Sequence, residues 1–111
     1  MTKLTTHILD TSKGKPAEDI TIILYSGGND EWKEMSRTKT NEDGRVQGAV
    51  NKAGLQQGIY KLRFETKDYF DKDTIPTFYP YVEIVFEIGT EEHYHVPLLL
   101  NPFGYSTYRG S

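Results

Sequence analysis

Three histidines, an arginine after a glycine turn, and the closing stretch "YSTYRGS" are the residues here whose types and spacing could do chemistry. His7 lies in "LTTHILD". Strand alternation puts Thr5, His7 and Leu9 on one face and Leu4, Thr6 and Ile8 on the other. An imidazole titrates close to working pH, so His7 could serve as a general base. Read alone, the same position also suits a surface or edge-strand histidine. Arg45 follows the turn "NEDG". Its fork of donors could hold an anionic or carbonyl-rich planar ligand; the plainer alternative is a solvated arginine at a strand start. His93 and His95, in "HYHVP", share one strand face at i, i+2, a spacing that some metal sites use. With one other histidine and no cysteine in the chain, acid–base use of one of them fits better than a metal site.

The last stretch carries most information. Tyr105, Thr107 and Arg109 alternate with Ser106 and Tyr108. A strand of this kind could bring a guanidinium, a phenol, a serine hydroxyl and a terminal carboxylate to one place. Gly110 would let the backbone approach a ligand closely. The competing reading is a final strand with a loose end. No GxSxG elbow, phosphate-cradling glycine loop or HExxH helix is present, so covalent catalysis has no evident nucleophile. The polar inventory suits activation of water by histidine, with arginine holding the substrate.

Such residues need strands to position them. Alternation of period two runs through nearly the whole chain: in "GIYKLRFET", Tyr60, Leu62 and Phe64 oppose Lys61, Arg63 and Glu65. In "YVEIVFEI", Val82, Ile84, Phe86 and Ile88 alternate with Tyr81, Glu83, Val85 and Glu87. Turn signals recur at "SKGKP", "SGGND", "NEDG", "NKAG" and "NPFG". Strands are expected at 3–10, 19–26, 31–39, 45–50, 58–66, 81–88, 93–100 and 104–109, with a short helix in "KDYFDKD" at 67–73. The expected fold is an all-β, antiparallel, eight-stranded β-sandwich with one short helix. Pro97 has no N–H to donate, which predicts a free edge or a local break in its strand. "PLLL" at 97–100 is apolar enough to be core, or to have its second face covered by another subunit.

Composition bounds the rest. At 111 residues, 1–111 form a single domain. Eight Tyr, five Phe and a net charge of only −3 argue for a packed core and against disorder. Mild acidity gives no reason to expect nucleic acid or an anionic membrane as partner. Without cysteine, disulfides and thiol catalysis are excluded. No stretch approaches the roughly 18 apolar residues of a membrane span, and the start lacks a signal-peptide pattern. A cytoplasmic location is therefore expected, or a periplasmic one if a leader was removed.

"THILD", "GKPA", "DGR", "DYF" and "HYHVPLLLNPFGYSTYRGS" occur in that order. Together they resemble the transthyretin-like 5-hydroxyisourate hydrolases of urate breakdown, over about residues 4 to 111. The terminal YRGS is the specific part, because transthyretin shares the fold without it. The resemblance implies a transthyretin-like sandwich assembled as a homotetramer, a dimer of dimers, with active sites in a channel at the dimer–dimer interface. It implies a small-molecule substrate, 5-hydroxyisourate, opened by hydrolysis, with no metal or other cofactor. Carried over position by position, it implies His7, Arg45 and His95 as catalytic. His7, Arg45, Tyr108, Arg109, Gly110 and Ser111 would bind substrate; His93 matches no catalytic position. The rival within this fold is a non-enzymatic carrier of a small aromatic ligand.

Overall fold

The computed structural model describes residues 2–28 and 30–110. In chain order the elements are β1 (Lys3–Asp10), β2 (Lys15–Pro16), β3 (Thr21–Gly28), β4 (Glu31–Lys39), β5 (Gly58–Phe64), α1 (Thr66–Asp71), β6 (Val82–Ile88), β7 (His93–Asn101) and β8 (Gly104–Thr107). They form two four-stranded sheets, ordered β2-β1-β7-β8 and β4-β3-β5-β6. The sandwich is as the alternation foretold, and the short helix falls where the alternation stops. Every strand pair is antiparallel except β1–β7, which is parallel from Lys3 beside His93 to Asp10 beside Leu100. That pair joins the start of the chain to its end, and alternation cannot report strand direction.

The core follows from period two. Leu4, Thr6, Ile8 and Asp10 of β1 point inward and are buried. They meet Val96, Leu98 and Leu100 of β7 and, from the other sheet, Ile22, Leu24, Leu62, Phe64, Val82 and Ile88. Burying one such large side chain stabilises the fold by about 1.5–3 kcal/mol. Helix α1 adds Phe70 and Tyr69 to this core. The Tyr69 hydroxyl donates to Oδ2 of the fully buried Asp10 at 2.7 Å, which ties α1 to the end of β1. Oδ1 of the same carboxylate accepts from the Ser12 and Lys13 amides at 3.0 and 3.2 Å, closing the turn into β2. Burial first, and then the Asp10 carboxylate, push the Tyr69 phenol well above its ordinary pKa.

One expected strand is absent. Residues 45–50 are not a strand: Arg45 makes a single bridge to His7, and Gly48 sits at φ +79°, outside extended geometry. The segment instead lies along β1 through scattered hydrogen bonds. The Ile8 amide donates to the Gly44 carbonyl at 2.9 Å, and the Val50 amide to the Leu4 carbonyl at 2.9 Å. The eighth strand is the two-residue β2, within what reads as turn in the sequence. The expected break at Pro97 is present. The β7–β8 ladder runs from Asn101 to Leu98, lapses beside Pro97, and resumes in the same register as a bridge between His95 and Gly110. Thr107 Oγ1 donates to the Pro97 carbonyl at 2.7 Å, so this residue's missing N–H faces β8. No helix among the described residues is long and apolar enough to cross a membrane.

Candidate active site

The outward face of the β1–β7 pair carries Thr5, His7 and Leu9 beside His95, Pro97 and Leu99, register partners one to one. His7 and His95 are therefore diagonal neighbours on one surface. Both are half-buried. Arg45 reaches them through its turn. Asn41 Oδ1 accepts from the Asp43 and Arg45 amides at 2.9 and 3.1 Å, and Gly44 takes φ +73°. A Cβ on Gly44 would lie 2.4 Å from the Ile8 carbonyl oxygen, so only glycine lets this turn press against β1 and set Arg45 beside His7.

The three groups sense one another. Burial is the main cause holding the His7 pKa below its ordinary value, and the Arg45 charge is the next; a backbone hydrogen bond at Asp43 and that residue's carboxylate pull the other way. His95 is lowered likewise, by burial first, then by Arg45, His7 and His93. Two imidazoles kept neutral near a permanent cation can accept protons from water while the guanidinium stabilises developing negative charge.

The chain end closes on this group. The Gly110 amide donates to the His95 carbonyl at 2.8 Å. A Cβ on Gly110 would lie 2.5 Å from His95 Cδ2, so the tail rests directly on the imidazole edge. Tyr108 is exposed and stands at the register position opposite Pro97. Arg109 goes elsewhere: its guanidinium lies over the Tyr94 ring, 4.6 Å from the centroid, with Nη2 3.9 Å from Glu91 Oε1. It shares an open recess of about 840 Å³ with His93, His95 and Gly110, but not the His7 side of the sheet. Ser111 lies outside the described residues. A larger recess, about 1030 Å³ between β4 and residues 46–54, holds no histidine.

Two contacts had no voice in the sequence reading. Thr5 Oγ1 lies 2.8 Å from His95 Nδ1 and 2.8 Å from His93 Nε2. Alternation puts Thr5 on the His7 face, but nothing in the sequence says that β7 runs beside β1 with His95 level with Thr5. Among the described residues, no three of His, Asp and Glu converge as metal ligands do.

Comparison with known proteins bears on family and fold. The family model described as HIUase/Transthyretin family matches residues 4–110. Mouse 5-hydroxyisourate hydrolase is 44% identical over 111 residues, covering 97% of this chain and 94% of its own. The structure of Klebsiella pneumoniae 5-hydroxyisourate hydrolase superposes with a TM-score of 0.89 at 38% identity, covering 100% of this chain and 94% of that one. Sea bream transthyretin in complex with thyroxine superposes equally well, TM-score 0.89, at 29% identity and with 97% and 94% covered. With its motifs, its two-sheet topology and its near-complete matches in agreement, the chain belongs to the HIUase/transthyretin family.

Proposed function

We propose that this protein hydrolyses 5-hydroxyisourate, opening its six-membered ring to give 2-oxo-4-hydroxy-4-carboxy-5-ureidoimidazoline. The observation that carries the reading is the meeting of two half-buried imidazoles and one guanidinium, His7, His95 and Arg45, on a single sheet face. Relatives at 40–45% identity bear the name 5-hydroxyisourate hydrolase, which supports the same substrate here.

Water attacks a ring carbonyl and must lose a proton as it does so. His7 and His95 share that proton and its return to the departing ring nitrogen. Arg45 orients the planar substrate and stabilises the oxyanion. Tyr108 shapes the pocket, Gly110 holds the tail against His95, and Ser111 is assigned a substrate-binding role from the terminal motif alone. No step requires a metal or an organic cofactor. The active assembly is a homotetramer in which a second dimer closes the face that Leu9, Leu99 and the histidines leave open. Transthyretin-like carriage of an aromatic ligand is the rival. A face bearing two histidines and an arginine suits proton transfer better than an apolar slot.

The test is ultraviolet decay of 5-hydroxyisourate made freshly from urate, with spontaneous loss subtracted. The protein should accelerate decay; His95→Ala should lower the rate by about 10²–10⁴-fold and Arg45→Ala by about 10²–10³-fold. Wild-type protein that leaves the spontaneous rate unchanged overturns the reading. A variant as fast as wild type removes that residue from the mechanism.

A further inference from the structure

Among the described residues, Thr5 is the hydroxyl placed between two imidazoles, 2.8 Å from His95 Nδ1 and 2.8 Å from His93 Nε2. A threonine hydroxyl has a single proton to donate and lone pairs to accept with. A chain of three such groups has two fully bonded settings. In the first, His95 Nδ1–H donates to Thr5 Oγ1 and the Thr5 O–H donates to His93 Nε2. His95 Nε2 is then a bare lone pair. In the second, every bond reverses: His93 Nε2–H donates to Thr5, Thr5 donates to His95 Nδ1, and His95 Nε2 carries the proton. In a third arrangement both rings donate to the hydroxyl oxygen; both contacts are kept, His95 Nε2 is again bare, and only the hydroxyl proton must find a partner outside the trio.

The difference bears on chemistry. Nδ1 of His95 is occupied by Thr5, and Gly110 covers the Cδ2 edge of the ring. Nε2 is the nitrogen left to react. The second setting, with its proton on Nε2, denies it the role of base.

We propose that Thr5 and His93 are positioning residues that hold His95 in its Nδ1–H tautomer, leaving Nε2 free to accept a proton from water. The inference rests on the hydrolase reading: the two contacts by themselves allow either setting, and the need for a base at Nε2 is what excludes the second. Charged and titratable neighbours are few. Arg45 and His7 act on His95 from the 41–45 turn and from β1. Lys3 is the register partner of His93, and Glu91, Glu92 and Arg109 line the recess beside it. Burial first, and then the positive charge of Arg45, disfavour a cationic His95.

Nitrogen-15 NMR of the histidine-labelled protein, at a pH where the rings are neutral, reads the tautomer without any substrate. His95 should show the Nδ1–H pattern in the wild type and in Thr5→Ser, which keeps the hydroxyl. Thr5→Val and His93→Ala should move it toward the Nε2–H form. In steady-state assays Thr5→Val should lower kcat by about 10²-fold with KM little changed, the lower end of what a positioned acid–base group supplies. Thr5→Ser should restore kcat to within about twofold. An Nε2–H pattern in the wild type overturns the proposal, as does a His95 tautomer indifferent to both Thr5→Val and His93→Ala. Should Thr5→Val fail to fold, His93→Ala carries the spectroscopic arm by itself. A wild-type protein without hydrolase activity would remove the functional reading and leave the NMR result to decide this one.

Discussion

At the residue scale, the governing quantity is the charge state of two imidazoles beside a guanidinium. Burial and Arg45 together keep His7 and His95 below the ordinary histidine pKa of about 6.5. A base with that shift is ready at neutral pH, so kcat/KM should rise with pH and level off with a midpoint below about 6.5. In Arg45→Gln the NMR titration midpoints of both histidines should move upward, because one lowering cause is gone from each. Stability carries the same sign. The unfolded rings take up protons more readily than the folded ones, so the folded state loses stability as pH falls from about 6.5 through the lower folded pKa values. Thermal melts at neutral and mildly acidic pH check this. Gly110 makes a second residue-scale case. Its missing side chain is where His95 Cδ2 stands, so Gly110→Ala must displace the tail or the ring. Displacement of about 1 Å can cost on the order of 10²-fold in rate, and the melting temperature should barely change because the tail contributes little to the core.

At the element scale, the site depends on strand ends and turns more than on strand interiors. β1 and β7 supply the histidines, a tight glycine turn supplies Arg45, and a proline-interrupted ladder delivers Gly110. The carboxylate of Asp10 anchors the end of β1, buried and bonded to Tyr69 of α1 and to the following turn. Tyr69→Phe strands one carboxylate oxygen and should cost about 1–3 kcal/mol in urea unfolding. A loss near zero would show that water replaces the phenol. Much of this level was legible beforehand. The spans of β1, β5, β6 and β7 follow from alternation, and the lapse at Pro97 from its missing donor. The 45–50 segment was not legible. Val46 and Val50 imitate a strand, but Gly48 lies at positive φ, and the segment bonds to β1 only where β1 has donors and acceptors to spare. The strand β2 is two residues long, too short for any periodicity.

At the scale of the whole molecule, both sheets end in unprotected edges, β6 and β8, with Val85, Phe103 and Tyr105 exposed near them. Tyr79 packs edge-on against Tyr105 with centroids 5.3 Å apart, which extends this aromatic rim. An open edge with apolar neighbours invites strand pairing with a second copy. Edge pairing gives a dimer, and the face-to-face closure proposed for the site doubles it, so light scattering should return about four times the 12.7 kDa chain mass. Val85→Lys, on the β6 edge, should give a smaller species with intact circular dichroism and little hydrolysis. An unchanged tetramer would take β6 out of the assembly.

Residue types and local spacing were settled by the sequence alone: a sandwich built on period two, a short helix after β5, an acid–base inventory of histidine and arginine, and the terminal motif that points to its family. Which groups meet was decided by the tertiary structure. The parallel pairing of β1 with β7 sets Thr5 level with His95, and the tail, resuming the β8 register past Pro97, sets Gly110 against His95 and Arg109 beside Tyr94. Neither could be read in one dimension. Side-chain alternation reports which face a residue takes, whereas strand order, direction and register arise from burying both sheets against each other at once.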